Sequence, residues 1–425
     1  MMMTRLDKLR PALLVTLYLL MCNVASAQED VYINEVVAGN FFGVGARATA
    51  MGGAQIAACD DGSALIYNPA ALVRVKRIEV STSLSHQRMT NRTQFMSFSG
   101  SRSLSNTRFS GVNLTLPVPT YRGSLVFGFG VNRVKSFDKV FEYQDLFTGG
   151  DVTGVESESG GIYQWSVGGA VDLSPSVSCG LALSYYSGND LYNFQFDSSY
   201  VDLTESGRYI FTSTSDDDYS GVGVKLGSMI RANKYLTLGA TVEFPTTYTV
   251  TQDWRVTEEY ITYSPYHDYS KQTEPGFYEY KLSVPYSLGA GLALNIDHLL
   301  LAFDVNFTDW AQMEYKSPLG LEEENRSLRE SYTDVVRYHA GAEIFLPKIS
   351  GKLRGGYYYD PIPFRTANVE RDRHFITGGA GFLIDRTVTL DLAYVRGLWE
   401  VADPDLSTYE EYQTDRFFLS AAYRF

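Results

Sequence analysis

The segment TDRFFLSAAYRF, residues 414–425, alternates with a period of two. Phe417, Leu419, Ala421, Tyr423 and Phe425 fall on one face; Phe418, Ser420, Ala422 and Arg424 fall on the other. Successive side chains of a strand point to opposite sides, so alternation marks a strand between two unlike surroundings. The same pattern recurs along the chain. In 235–244, Leu236, Leu238, Ala240, Val242 and Phe244 oppose Thr237, Gly239, Thr241 and Glu243. In 299–308, Leu299, Leu301, Phe303, Val305 and Phe307 oppose Ala302, Asp304, Asn306 and Thr308. In 387–394, Val388, Leu390, Leu392 and Tyr394 oppose Thr389, Asp391 and Ala393.

The connections between these runs sharpen the prediction. Tight turns are expected near Ser174–Pro175, Ala232–Lys234, Asn295–His298, Pro347–Gly351 and Asp385–Arg386, each in the middle of a strand–turn–strand stretch. Long polar stretches rich in Tyr and Asp separate the hairpins, at 136–160, 188–218, 249–280, 316–333, 361–372 and 397–413. Short turns on one side and long connections on the other are the asymmetry of an outer-membrane barrel. About fifteen candidate runs appear where an even number near fourteen is expected, and 250–261 or the polar edge of 280–295 is the surplus one. The predicted fold is all-β: a transmembrane antiparallel β-barrel of about fourteen strands.

Composition agrees with this. The chain carries 31 Tyr, 24 Phe and 37 Gly, yet its mean hydropathy is only −0.14. Lipid-facing and lumen-facing residues that alternate give that balance, and no apolar run after residue 27 is long enough for a membrane helix. Charge on the lipid face costs about 2–4 kcal/mol at mid-membrane, so Glu243, Asp304, Arg337, Glu343, Arg354 and Asp391 are expected to face the lumen. Phe425 is expected in the aromatic girdle at the periplasmic rim.

The start of the chain has a basic segment with Arg5, Lys8 and Arg10, then an apolar run, then Ala25–Ser26–Ala27. This reads as a secretory signal peptide over 1–27. Cys22 follows Met21 rather than a small residue, which argues against a lipoprotein. The net charge of −13, more negative once the leader leaves, sets nucleic acid aside as a partner.

A barrel this wide leaves an open channel unless something occupies its lumen. Residues 28–75 precede the first strand, and the stretch GVGARATAMGGAQIAACDDGSALIYNPAAL is rich in small residues that pack closely inside a barrel. ARATAMGGAQIAACDDGSALIYNPAAL resembles the N-terminal hatch of the FadL-type long-chain fatty acid transport family, including Asn68, Pro69 and Ala70. AFDVNFTDWAQMEY (Asp304, Phe307, Trp310), LRGGYYYDPIPF and RDRHFITGGAGFLIDRTVTLDLAYV are similar to later segments of that family, in the same order. The same opening also resembles PorV-like barrels of type IX secretion, and some relatives are labelled haemin receptors or aromatic-hydrocarbon channels. Fold alone does not choose between these.

The resemblance implies a hatch over 28–75 inside a barrel over 76–425, in the bacterial outer membrane. It implies diffusion of a fatty acid or other hydrophobic or amphipathic small molecule, with outer-membrane lipid and lipopolysaccharide around the wall. On the secretion reading, protein partners of that machinery replace the ligand. The residues it points to around hatch and pocket are Gly45, Arg47, Met51, Gly52, Asn68, Pro69 and Ala70. Gly123, Gly128 and Gly130 in GSLVFGFGVNRV are candidates for a strand kink and sideways exit, since glycine inside a strand often marks a bend; equally they could leave room for hatch side chains.

Other chemistry is sparse. Asp216, Asp217 and Asp218 form a charge run that reads as solvated, and Asp60 and Asp61 read as a cap or turn. His86, His267, His298, His339 and His374 are scattered, with His86, His267 and His374 the candidates on the haemin reading. Cys59 and Cys179 are expected as free thiols, because Cys179 shares the lipid face with Leu181 and Leu183. No catalytic motif, metal site or cofactor is expected, and the chain is not expected to be an enzyme.

Overall fold

A computed structural model describes residues 41–425 apart from 96–97, 148–149, 202–205, 265, 319, 366–371, 386 and 404–407. The expected leader, hatch residues 28–40 and Arg386 lie outside the described residues. In chain order the wall begins with β1 (Glu79–Phe95), β2 (Phe98–Val118), β3 (Leu125–Arg133), β4 (Lys139–Phe147) and β5 (Gly150–Asp172). It continues with β6 (Val177–Val201), β7 (Ser206–Arg231), β8 (Leu236–Glu243), β9 (Thr246–Ser264) and β10 (Asp268–Val284). Then come β11 (Ser287–Ile296), β12 (Leu299–Asp309), β13 (Glu314–Ser317), β14 (Asp334–Leu346) and β15 (Gly351–Tyr359). The last three are β16 (His374–Ile384), β17 (Val388–Asp403) and β18 (Thr408–Arg424). All pair antiparallel, and β1 bonds β2 on one edge and β18 on the other, so the sheet closes on itself. Closure removes the unpaired edges that a bilayer would not tolerate.

Four strands are each interrupted once, as β3/β4, β8/β9, β10/β11 and β12/β13. Counted whole, the wall is a closed 14-strand barrel. The surplus sequence run, 250–261, is the outer half of the strand that starts at Leu236, cut by Pro245. Proline has no N–H to give the ladder. Pro285 cuts the neighbouring strand at the same height, because Glu243 pairs with Ser287 and Thr246 with Val284.

The long external loops of the sequence reading are mostly wall. β6 has 25 residues and β7 has 26, whereas about ten suffice to cross the bilayer. The described residues of 139–160, 188–218, 249–280 and 397–413 extend the strands outward, where no lipid demands an apolar face and Thr and Tyr carry the β preference. Among the described residues, a helix, Glu322–Ser331, lies between β13 and β14, and irregular chain follows β15 over 360–365. At the other end the turns are tight. Asp297, Ser350 and Asp385 adopt positive φ there, which short polar residues tolerate.

The predicted faces appear in the exposure pattern. Leu181, Leu183 and Tyr185 are exposed on the outer side, while Ala182 and Ser184 between them are buried. Phe425 is 67% exposed at the turn end, its N–H bonded to the Ile78 carbonyl at 2.9 Å. Inside the barrel sit the helices Ala46–Ala50 and Ala64–Tyr67 and the 3-10 turn Pro69–Arg74. They pack through Ala64, Leu65, Ala70, Ala71 and Leu72 against Val126, Ala170 and Ala182 of the wall.

Candidate functional site

The hatch is held by polar contacts that the wall supplies. Asp304 of β12, fully enclosed, accepts the backbone N–H groups of Gln55 and Ile56 at 2.5 and 2.7 Å. Asn68 accepts from the Ala70 N–H at 3.1 Å and donates to the Ile56 and Ser228 carbonyls at 2.7 and 3.1 Å. It is wholly buried, as are Pro69 and Ala70. These three pin the hatch to the wall and present no side chain to open lumen. The glycine at Gly52 has φ +65 and a Cβ there would stand 2.6 Å from the Tyr357 carbonyl, so the residue type is set by the backbone. Gly45 caps the first hatch helix, and Met51 packs with Ala54, Ala293 and Ala302.

All six lumen-charge candidates point inward. Glu343 receives Arg354 at 2.7 Å, Lys352 at 2.8 Å and the hatch residue Arg47 at 3.2 Å. Arg354 continues to Asp391 at 2.6 Å, and Arg47 to Asp60 at 2.5 Å. Glu243 pairs with Lys225 at 2.8 Å, and Arg337 with Asp360. Removing one partner of a buried network strands the others. Glu343→Ala is therefore expected to destabilise the barrel by about 3–5 kcal/mol, read as a lower urea midpoint in detergent micelles.

Among the described residues the wall has a gap between β2 and the strand made of β3 and β4. Gly111 of β2 faces Asn132 of β3, and Ser99 faces Gln144 of β4 in the same register. Between these points no ladder pairing joins the two strands. Segment 134–138 leaves β2 and bends into the lumen while keeping β5: the N–H groups of Val134 and Phe137 bond the Ile162 and Gly160 carbonyls at 2.9 and 3.2 Å. A Cβ at Gly161 would come within 2.4 Å of the Lys135 carbonyl, so the bend needs glycine on β5. Asp138 fills the gap from inside. It accepts from Asn106 at 2.9 Å, Arg108 at 2.7 Å, Ser136 at 3.0 Å and Arg133 at 3.4 Å.

The bend does not fall on the glycines the sequence suggested. Gly123 lies in the turn before β3, with φ +72. Gly128 and Gly130 lie where β3 is paired on both edges; a Cβ on Gly128 would touch Leu65 of the hatch, and one on Gly130 would strike the Asn113 amide. They make room for inward side chains, and the strand departs at residue 134.

The remaining candidates separate in space. Alternation along β7 sends Asp217 inward and leaves Asp216 and Asp218 on the outer face. The run lies in mid-strand and is not a solvated loop. His86 and His374 lie on exposed positions of β1 and β16, and His267 beside the outer end of β10; His339 is buried against the Gly52 carbonyl at 2.7 Å. Cys59 is buried in the hatch and Cys179 is on the wall, both as free thiols.

A closed barrel with tight turns at one end, a lumen hatch and a gap in its wall between β2 and β4 has the architecture of a transport protein of the bacterial outer membrane. The family model described as outer membrane protein transport protein (OMPP1/FadL/TodX) matches residues 25–403, and the chain belongs to that family of transporters of hydrophobic compounds. Such proteins are transport channels and not enzymes. Direct comparison with curated proteins gives no match. Among solved structures, the P. putida toluene transporter TodX superposes with a TM-score of 0.64 at 15% identity, covering 91% of this chain and 99% of that one. A Pseudomonas aeruginosa FadL homologue gives 0.62 at 12% identity, with 91% and 100% covered. The monoaromatic hydrocarbon channel CymD gives 0.57 at 16% identity, with 91% and 98% covered. At these identities the likeness is one of fold.

Proposed function

We propose that the protein admits small hydrophobic or amphipathic molecules from outside, passes them down the lumen to the hatch, and releases them sideways through the wall between β2 and the bend at 134–138. The bend is the observation that carries this reading. A closed ladder holds its wall by continuous backbone hydrogen bonds, and giving up those bonds over a long stretch is costly. Here the two strands keep one register on both sides of the break, so the segment has lifted inward from an otherwise continuous wall. The hatch below, fixed through Asp304 and Asn68, supports an exit above it over one straight through.

Linking the two rims tests the route. In a background with Cys59 and Cys179 replaced by alanine, Asn106→Cys and Asp138→Cys are joined by a short bifunctional thiol reagent. Toluene uptake into proteoliposomes is expected to fall to background on linking and to return when a cleavable linker is cut. Full uptake in the linked protein would overturn the lateral route.

A further inference from the structure

Beyond the membrane band, the lumen wall of β5, β6, β7 and β9 carries an unusual row. Gly160, Asp190, Asp217 and Gln252 are consecutive register partners across four strands, all on the inner face. Asp190 and Asp217 are therefore directly opposed like charges, an arrangement that costs free energy unless something neutralises it. Both are more than nine-tenths buried. Neither has a Lys, Arg or His within ion-pair distance among the described residues. The nearby cations are committed elsewhere: Arg133 and Arg108 to Asp138, and Lys139 to Glu156.

Three further atoms in this place are unsatisfied. Oδ1 of Asp190 and the hydroxyls of Tyr219 and Tyr280 are buried without a hydrogen-bond partner. Buried polar atoms are nearly always paired, so orphans at one spot ask for a missing partner. Tyr219 follows Asp217 on the inner face and lies close enough to feel the charges of Asp217, Asp190 and Glu158; Tyr280 feels Asp217 and Asp190. The ring of Phe137, from the tip of the inward bend, stands 5.6 Å from that of Tyr219, which supplies an apolar neighbour. No group of three metal-ligating side chains converges among the described residues, so a bare divalent ion is not what this row suggests.

We propose that Asp190 and Asp217, with the hydroxyls of Tyr219 and Tyr280, form a subsite in the outer lumen for the ammonium head of an amphipathic amine, and so bias the route against carboxylates. This rests on the transport reading above. An ammonium group has three donors, which matches an orphan carboxylate oxygen with two phenolic acceptors; the ligand's apolar part lies toward Phe137. A carboxylate head meets two acids first. Lys135, which sits deeper with its ammonium 5.7 Å from the ring of Trp310, lies past this row on the way in.

The row also responds to pH. Burial pushes the Asp190 carboxyl up to about 7; a hydrogen bond with Glu158 opposes this, and Asp217, Asp138 and Asp216 add to it. Burial pushes Asp217 up to about 6, against hydrogen bonds from Ser215 and Gln252 and with Asp216 and Asp218 adding. Both acids lose their protons as pH rises through that range, whereas an alkylammonium, like lysine, stays charged to about pH 10. Amine binding should strengthen with rising pH.

Benzylammonium, benzyl alcohol and benzoate have one ring and three head charges, and calorimetry on the full protein in nanodiscs compares them. Benzylammonium is expected to bind about tenfold tighter than benzoate, with benzyl alcohol between, and its affinity to rise from about pH 5 to about pH 8. Asp190→Asn with Asp217→Asn should abolish both the preference and the pH dependence, while Asp216→Asn with Asp218→Asn on the outer face should keep the preference and only move the pH response to somewhat lower pH, since those two charges help raise the inner pair. If the inner double variant fails to fold, Asp190→Asn alone should halve the pH response or more. Benzoate binding as tightly as the amine, or an inner variant indistinguishable from the parent, overturns the subsite while neutral benzyl alcohol still binds. Failure of all three ligands to bind overturns the transport reading and this inference with it.

Discussion

Replacing Asp304 by alanine is expected to open the barrel to hydrophilic solutes. The carboxylate is the partner of two successive hatch N–H groups, at Gln55 and Ile56, and the alanine leaves both buried and unsatisfied. Each orphan costs about 1–3 kcal/mol, comparable with the local stability of a short segment that has little regular structure of its own. The hatch helices span only 5 and 4 residues, too short to persist without the wall. Hydrogen exchange across 54–60 should quicken strongly, and planar-bilayer conductance should rise from near zero to steady current. The wall keeps its full ladder, so the folded band on an unheated gel should remain. A variant as tight to ions and as protected as the parent would mean that Asp304 does not hold the hatch.

Much of the wall could be read from alternation alone, because lipid and water impose opposite demands on neighbouring residues. Leu236 to Phe244, Leu299 to Phe307 and Val388 to Tyr394 all face as their spacing predicts. Where lipid ends the rule loses its signal. Among the described outward positions of 188–218, Ser, Thr and Asn (Asn189, Asn193, Ser199, Thr212, Thr214) outnumber apolar residues such as Leu191 and Ile210, so a strand of 25 residues looks like strand and then loop. Pro245 and Pro285 were visible markers of interruption, yet a proline cannot tell from sequence whether the chain turns back or merely bends and carries on.

The site was legible only where it coincides with that alternation. Glu343, Arg354 and Asp391 declared themselves as charges on the inner side of apolar strands. Asp190 and Asp217 did not, since the surrounding residues read as a solvated loop; the period-two run of Asp217, Tyr219, Gly221 and Gly223 was the available clue. The inward bend had no comparable signal. It depends on Gly161 making space and on Arg108, Asn106 and Arg133 converging on Asp138 from separate places in the chain. Such contacts exist only after the sheet has paired. Asn68 was singled out by resemblance as a pocket residue, and its hydrogen bonds to Ile56, Ala70 and Ser228 make it an anchor between hatch and wall.

Gly180→Val is expected to expel the hatch while sparing the barrel, which separates the two roles that deleting the hatch would confuse. The inner face of β6 meets the hatch backbone so closely at this position that a Cβ would stand 2.4 Å from the Pro69 carbonyl carbon and 2.5 Å from the Ala70 nitrogen. Neither atom can rotate away, because Pro69 and Ala70 open the 3-10 turn Pro69–Arg74. Valine itself suits a strand better than glycine does, so the ladders to β5 and β7 should form at least as well. The clash then acts on the hatch alone. Arg74, whose guanidinium bonds the Ala57 and Cys59 carbonyls at 2.9 and 3.3 Å, should swing free and become a trypsin site in the folded protein. Ion conductance should rise as it does for Asp304→Ala, and adding that substitution should raise it little further, since both release one unit. Trypsin resistance at Arg74 with unchanged conductance would show that the hatch can reseat around a side chain here, and that its fit to the wall is looser than 2.4 Å implies.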